Sequence, residues 1–300
     1  ALAGTLLIGA RGQLGSELVR ILAGDELTVV THAEIEITDA AATDALLVRV
    51  APDVIVNTSA FHAVDRCEDE PAMAFAVNAL AVRHLARRAG ERGSLLVHFS
   101  TDYVFDGRAR QPYPEDALPL PQSAYATSKL AGEHFVRTLA PRHLVVRSAG
   151  LFGGAGSAGK GGNFVETILR RARAGEALRV VADQVTAPTY TRDLAATVVA
   201  LIARARTDPS AATGVVHATA EGSCSWHEFA CAIVAEAGLG VPVAAISTRE
   251  LGARAPRPAY SVLENARLPA LGIARPRPWR QGLRAYLTER GQLAAESDAR

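Results

Sequence analysis

The sequence has only three cysteines, Cys67, Cys224 and Cys231, and no CxxC pair. An odd, scattered set argues against a disulfide framework and a structural zinc site, and points to a reducing compartment. Net charge is almost absent as well: 32 basic residues against 31 acidic ones leave +1. Nothing in that balance draws nucleic acid or an anionic membrane, although a local basic pocket for a phosphorylated ligand is compatible with it. No apolar run reaches the length of a membrane span. The first residues lack the charged segment, apolar segment and cleavage site of a signal peptide, so the expected location is the cytoplasm. There is no internal repeat. No carboxylate or histidine cluster shows metal-ligand spacing, so no metal is expected. His84, His98, His134 and His143 are scattered and read as structural or surface residues.

What is abundant is apolar sequence. With 49% hydrophobic residues among 300, the chain can bury a sizeable core, and its length suits one large domain with a smaller one. Short apolar runs alternate with helical periodicity through the first half. Strands are expected at 6–8, 27–31, 53–57, 95–99 and 144–146. Helices are expected at 13–22, 40–50, 72–88 (entered through Pro71) and 125–139, with a Pro-rich loop over 108–121. Strands that are apolar throughout, alternating with helices, predict an α/β fold. Its core is a doubly wound parallel sheet covered on both faces, a Rossmann-like arrangement.

After Arg147 the rhythm changes. A glycine-rich stretch over 151–162 reads as a mobile loop. A helix over 164–174, a strand at 178–181, a helix over 192–204 and a strand at 215–217 follow. One clear helix over 225–236 then gives way to irregular Pro/Arg-rich sequence and a polar tail from Ala294. The expected division is a dinucleotide-binding domain from 1–150 plus about 178–218, where the chain returns to the main sheet. A smaller C-terminal α/β substrate domain takes 151–177 plus 219–300.

Gly9, Gly12 and Gly15 form G-x-x-G-x-x-G between a strand and a helix. Such a loop needs one glycine for the tight turn, one where backbone approaches a pyrophosphate and one where helix packs on strand. The helix then offers free N–H groups and a partial positive charge to the phosphates. An acidic residue at the end of the second strand would favour NAD. Thr31-His32 stands there instead, with Glu34 and Glu36 beyond, and Arg11 in the loop is placed to meet a 2′-phosphate. NADPH is the expected cofactor, with NADH compatible.

Tyr125 and Lys129 are Y-x-x-x-K on a predicted helix, so both side chains lie on one face. A free phenol ionises near pH 10, and bringing it to about 7 takes roughly 4 kcal/mol of differential interaction. A lysine and the charge of an oxidised nicotinamide are the expected sources. Thr101 lies near the end of the fourth strand, where ligands bind in such sheets. Together the three residues read as a ketone reductase: hydride reaches carbon, Tyr125 protonates oxygen and Thr101 orients it.

These residues resemble a known family. Residues 100–107 read STDYVFDG and 128–133 read SKLAGE, both similar to dTDP-4-dehydrorhamnose reductases of the extended short-chain dehydrogenase/reductase superfamily. Residues 57–65, Gly162-Asn163-Phe164, Asp183-Gln184 and Ala187-Pro188-Thr189 carry the likeness further, from Leu6 to about Leu287. The resemblance implies reduction of the 4-keto group of dTDP-4-dehydro-L-rhamnose by NAD(P)H. It implies cofactor contacts at Gly12, Gln13, Leu14, Ala60, Tyr125 and Lys129. Sugar contacts would come from Thr101, Asp102 and Tyr103, with Asn163 either a nucleotide-sugar contact or a turn residue. Two departures keep the sugar open. Gly150 stands where many members have Trp, so an aromatic wall is expected to be missing, and Phe61-His62 replaces a Thr-containing segment. A reductase of another dTDP-4-keto-6-deoxy sugar and a non-catalytic NADP-binding regulatory subunit are the alternatives. A homodimer is compatible with the Ala-rich helix.

Overall fold

Successive side chains of a strand point to opposite faces, so runs that are apolar throughout need cover on both sides. The computed structural model describes residues 4–23, 26–154, 162–208 and 213–294. Its strands are β1 (Thr5–Ile8), β2 (Leu27–Val30), β3 (Val54–Asn57), β4 (Leu95–Thr101), β5 (His143–Ser148), β6 (Leu151–Phe152), β7 (Leu178–Val181), β8 (Val185–Thr186), β9 (Thr189–Tyr190), β10 (Gly214–His217), β11 (Cys224–Ser225) and β12 (Val243–Ile246). Its helices are α1 (Gln13–Ile21), α2 (Ala40–Val50), α3 (Val64–Asp69), α4 (Pro71–Phe75), α5 (Ala81–Arg92), α6 (Ala124–Leu139), α7 (Phe164–Arg173), α8 (Thr191–Thr207), α9 (Trp226–Glu236), α10 (Thr248–Leu251), α11 (Arg267–Ala270) and α12 (Trp279–Glu289). None of these is long and apolar enough to cross a membrane.

Six strands form one all-parallel sheet in the order β10-β5-β4-β3-β1-β2. Leu7, Val56, Val97 and Val146 face one side, where Leu14 and Leu18 of α1 and Leu194 and Val198 of α8 cover them. The alternate residues Leu6, Ile55, Leu96 and Val145 face the other, against Leu46 of α2, Val82 and Leu85 of α5 and Val136 of α6. Both layers of the doubly wound fold are therefore present. The loops after β1, β3 and β4 leave neighbouring strands at the same carboxyl edge, which is where such sheets hold ligands.

A second core lies outside the sheet, built from Phe152, Ile168, Leu178, Val180, Tyr190, Phe229, Ile233, Trp279, Leu283 and Tyr286. It corrects two expectations. The strand at 178–181 does not return to the main sheet. It pairs with β12, because Leu178 and Val180 are drawn into this second core; the main sheet is rejoined by α8 and β10. The Pro/Arg-rich C-terminal sequence also holds a full helix, α12, whose Trp279, Leu283, Tyr286 and Leu287 are buried at helical spacing. The helix expected over 72–88 runs from Pro71 to Arg92 and contains a π turn at Ala76–Leu80. The glycine-rich stretch 155–161 and the tail 295–300 lie outside the described residues.

One buried ion pair ties the layers together. Arg147 of β5 donates from Nε to Glu133 Oε1 at 2.9 Å and from Nη2 to Oε2 at 2.7 Å, with both side chains at most 2% exposed. Its third nitrogen, Nη1, donates to His217 Nε2 on β10 at 3.3 Å, and its guanidinium lies 5.2 Å from the Phe105 ring centre. Removing one partner strands the other charge. Arg147→Met should cost about 3–5 kcal/mol, and pairing it with Glu133→Leu should restore much of the loss. Urea denaturation of the two variants checks this, and an Arg147→Met protein as stable as wild type would refute it.

Candidate active site

The glycine loop follows β1, and two of its glycines are demanded by the fold itself. Gly9 has φ +89°, and a Cβ there would lie 2.5 Å from Thr58 Oγ1. A Cβ at Gly15 would lie 2.3 Å from the Gly9 carbonyl oxygen, so this glycine lets α1 pack onto the loop. At Gly12 the nearest atom would be 3.4 Å away, so the protein leaves room above the N-terminus of α1. That terminus has no side-chain cap and no acidic residue in its first turn, which leaves its first N–H groups for an anion. Gln13 Oε1 is buried without a hydrogen-bond partner. Open space, uncapped N–H groups and an orphaned amide oxygen together fit a dinucleotide's pyrophosphate and ribose. Leu14 is buried in the core, so only its backbone faces the loop. Arg11 is exposed, and Ala60, in the loop after β3, is partly exposed. At the end of β2 the Thr31 N–H and hydroxyl both donate to Glu34 Oε2 at 2.8 Å, holding that carboxylate beside the strand and lowering its pKa.

Tyr125 and Lys129 sit in the first turns of α6. The Ser123 hydroxyl caps this helix by accepting the Ala126 N–H at 3.2 Å, and the Ala124 N–H donates to Glu68 Oε1 at 2.7 Å. The π turn brings Asn78 against the same helix. Its Oδ1 accepts the Phe61 N–H, while its Nδ2 donates to the Phe61 carbonyl and to Ser128 Oγ, all within 3.0 Å. Gly132 permits this contact, since a Cβ there would lie 2.3 Å from the Asn78 carbonyl oxygen. A π turn at a functional site is a recurrent use of that geometry.

The Thr101 hydroxyl lies close enough to the Tyr125 phenol to lower its pKa against burial. It donates to Asp102 Oδ1 at 3.1 Å and accepts the Tyr103 N–H at 3.2 Å. The rings of Tyr103 and Tyr125 meet edge to face at 6.1 Å. Tyr125 is thus brought beside Thr101 and Tyr103 at the carboxyl end of β4, and Lys129 is buried one turn further along α6, where its charge reaches His98 of β4. Burial pushes the Tyr125 phenol above its ordinary value, so it holds its proton at neutral pH, with Thr101 acting against burial. Burial also lowers Lys129 to about 8, with the Glu133 charge pulling the other way.

Several participants carry no local signal in the sequence. Arg257 clamps Asp65 through two bonds, 3.2 Å to Oδ1 and 2.8 Å to Oδ2, and its charge acts on the Tyr103 phenol. Asp102 Oδ2 accepts from Ser261 Oγ and, at 3.5 Å, from Thr186 Oγ1. Asn163, offered as either substrate contact or turn residue, takes the second role: it caps α7. Its Oδ1 accepts the Glu166 N–H, and both Nδ2 donors go to the Gly153 carbonyl and the Tyr286 hydroxyl. Asn followed three residues later by Glu is a helix-start signal that the sequence already displays. Gly150 has φ +53° and is not without an aromatic neighbour: Trp226 Cη2 would lie 3.5 Å from a Cβ there. His62 is exposed, with Nδ1 3.4 Å from the Ala60 carbonyl. The described residues hold no group of three or more His, Cys, Asp or Glu able to bind a metal.

Comparison with known proteins agrees with this geometry. The family described as RmlD substrate binding domain matches residues 4–291. The spore coat polysaccharide biosynthesis protein SpsK of Bacillus subtilis is 41% identical over 287 residues, covering 95% of this chain and 97% of SpsK. A probable dTDP-4,6-dihydroxy-2-methyloxan-3-one 4-ketoreductase of Streptomyces antibioticus is 40% identical, covering 97% of this chain and 96% of its own length. The dTDP-4-dehydrorhamnose reductase of Bacillus anthracis, solved in complex with NADP, superposes with a TM-score of 0.89 at 34% identity, covering 95% of this chain and 98% of that one. On sequence and fold alike, the chain belongs to the RmlD family.

Proposed function

We propose that this chain reduces the 4-keto group of dTDP-4-dehydro-L-rhamnose to give dTDP-L-rhamnose, with NADPH as reductant and NADH as an acceptable substitute. The observation that carries this reading is Tyr125 beside Thr101 at the end of β4, with Lys129 buried one turn along α6 and an uncapped glycine-loop helix at the same sheet edge. The Bacillus anthracis relative, a reductase solved with NADP, supports it. Gly12, Gln13, Leu14 and Gly15 would hold the pyrophosphate through backbone N–H groups, with Gly9 shaping the turn. Arg11 would meet a 2′-phosphate, and Ala60 would border the cofactor.

When bound, the cofactor supplies a hydride. The protein's own work is on the oxygen. Tyr125 holds its proton and gives it to the keto oxygen as C4 becomes tetrahedral. The phenolate left behind needs a nearby cation, which Lys129 provides in its protonated form. Thr101 orients the oxygen, and Tyr103, backed by Arg257 and Asp65, borders the sugar.

A second reading is favoured by the Streptomyces antibioticus relative and by Gly150: reduction of another dTDP-4-keto-6-deoxy sugar. Loss of NADPH absorbance with dTDP-4-dehydro-L-rhamnose, with the product identified by NMR, separates the two. Turnover to dTDP-L-rhamnose supports the first, and tight NADPH binding without turnover supports the second. Tyr125→Phe should reduce kcat by about 10²–10⁴-fold while NADPH affinity stays within about twofold; near-normal turnover would remove Tyr125 as proton donor. Because Lys129 is cationic only below about 8, kcat should fall as pH rises through that value. A flat profile between about pH 7 and 9.5 would rule out this role for its charge.

A further inference from the structure

The Thr101 hydroxyl has one proton and two lone pairs, and the structure gives it more partners than it can serve while also binding a substrate. Its proton points to Asp102 Oδ1 at 3.1 Å. One lone pair takes the Tyr103 N–H at 3.2 Å. In that arrangement the Thr101 proton is not directed at a keto oxygen. Asp102 is wholly inside the protein, 3% exposed. Its Oδ2 is occupied by the hydroxyls of Ser261 and Thr186, so only Oδ1 is free to change its role.

We propose, resting on the reductase reading above, that Asp102 is a positioning residue that works in its protonated form. A proton on Oδ1 reverses the bond to Thr101. The carboxylic acid then donates to Thr101 Oγ1. The two lone pairs of Thr101 are filled by Asp102 and by the Tyr103 N–H, so its own proton is released toward the substrate. Tyr125 presents its own proton to the same oxygen. The keto oxygen, with two lone pairs, receives both. Ser261 and Thr186 keep Oδ2 satisfied in either state, so the switch breaks no other bond. The proton stays on Asp102 through the reaction. The one consumed comes from Tyr125, and the hydride and that proton together account for the two hydrogens added.

The surroundings suit such a role. Against Asp102 lie Thr186 on β8, Ser261 on the C-terminal segment, Thr101 and Tyr103 on its own strand end, and Tyr125 on α6. The charged pair Asp65 and Arg257 sits behind Tyr103. Among the described residues Asp102 has no salt bridge, and burial raises it to about 6, within reach of protonation near neutrality.

The test is the pH profile of kcat/KM with NADPH and dTDP-4-dehydro-L-rhamnose. The protonated form is the competent one, so the wild-type value should fall about eightfold between pH 6.5 and 7.5 for an ionisation near 6. In Asp102→Asn the amide N–H donates to Thr101 permanently, so that fall should vanish while the drop near 8 from Lys129 remains. Ser261→Ala removes a donor that favours the ionised form, so the fall should move to higher pH. Asp102→Ala, which gives Thr101 no donor, should lose turnover well beyond Asp102→Asn. Three outcomes would overturn the proposal: Asp102→Asn keeping the eightfold fall, Asp102→Asn losing as much turnover as Asp102→Ala, or Ser261→Ala leaving the midpoint where it was. Failure of the reductase reading is seen separately, as wild-type protein that does not oxidise NADPH with this sugar at any pH.

Discussion

The buried pair of Arg147 and Glu133 sets the frame on which the site is built. Glu133 lies four residues beyond Lys129 and eight beyond Tyr125 on α6, so holding Glu133 fixes the turns that carry both. Arg147 sits on β5, which is in register with β4 so that Ser148 faces Thr101. A bidentate, buried bond between them sets the distance from helix to strand end, and hence from Tyr125 to Thr101. The pair also has an electrostatic effect. The Glu133 charge supports the ammonium of Lys129 against burial, while burial, helped by the Arg147 charge, drives His217 down to about 3 and keeps it neutral. Neutral His217 can then accept from Arg147 at Nε2 and donate from Nδ1 to the Glu264 carbonyl at 3.1 Å, extending the network to the C-terminal segment.

That segment closes over the site from the other side. Arg257 reaches Asp65, and Ser261 reaches Asp102, so both residues of the first half that flank the chemistry are tied to residues 192 and 159 positions later. Charge-assisted and buried bonds of this kind hold a site to tighter tolerances than surface contacts do. The arrangement separates two duties. The sheet and α6 position the groups that move protons, and the C-terminal segment positions the groups that steer them.

Much of this was legible in the residues, for local reasons. The glycine loop, the strand ends and Y-x-x-x-K are short patterns whose geometry follows from helix and strand periods, and their order along a doubly wound sheet fixes that they meet. What was not legible depended on distant partners. An apolar strand such as Leu178–Val181 does not name its neighbour, and its pairing with Val243–Ile246 was settled by the second core. α12 was hidden by prolines and arginines around it, although Trp279, Leu283 and Tyr286 keep a helical spacing. Asn163 displayed a capping pattern outweighed by the family likeness. The burial that raises the Tyr125 phenol is likewise invisible in the sequence, whereas a lysine on the same helix face is plain there.

The central claim is that hydride reaches sugar carbon 4 beside Thr101 and Tyr125. Its most direct test is a single turnover with NADPH carrying deuterium at the transferable position of the nicotinamide, followed by NMR of the sugar nucleotide. Deuterium bound to C4 of the product, and at no other carbon, is the expected result. A product without deuterium, or with the label elsewhere on the ring, would contradict the account.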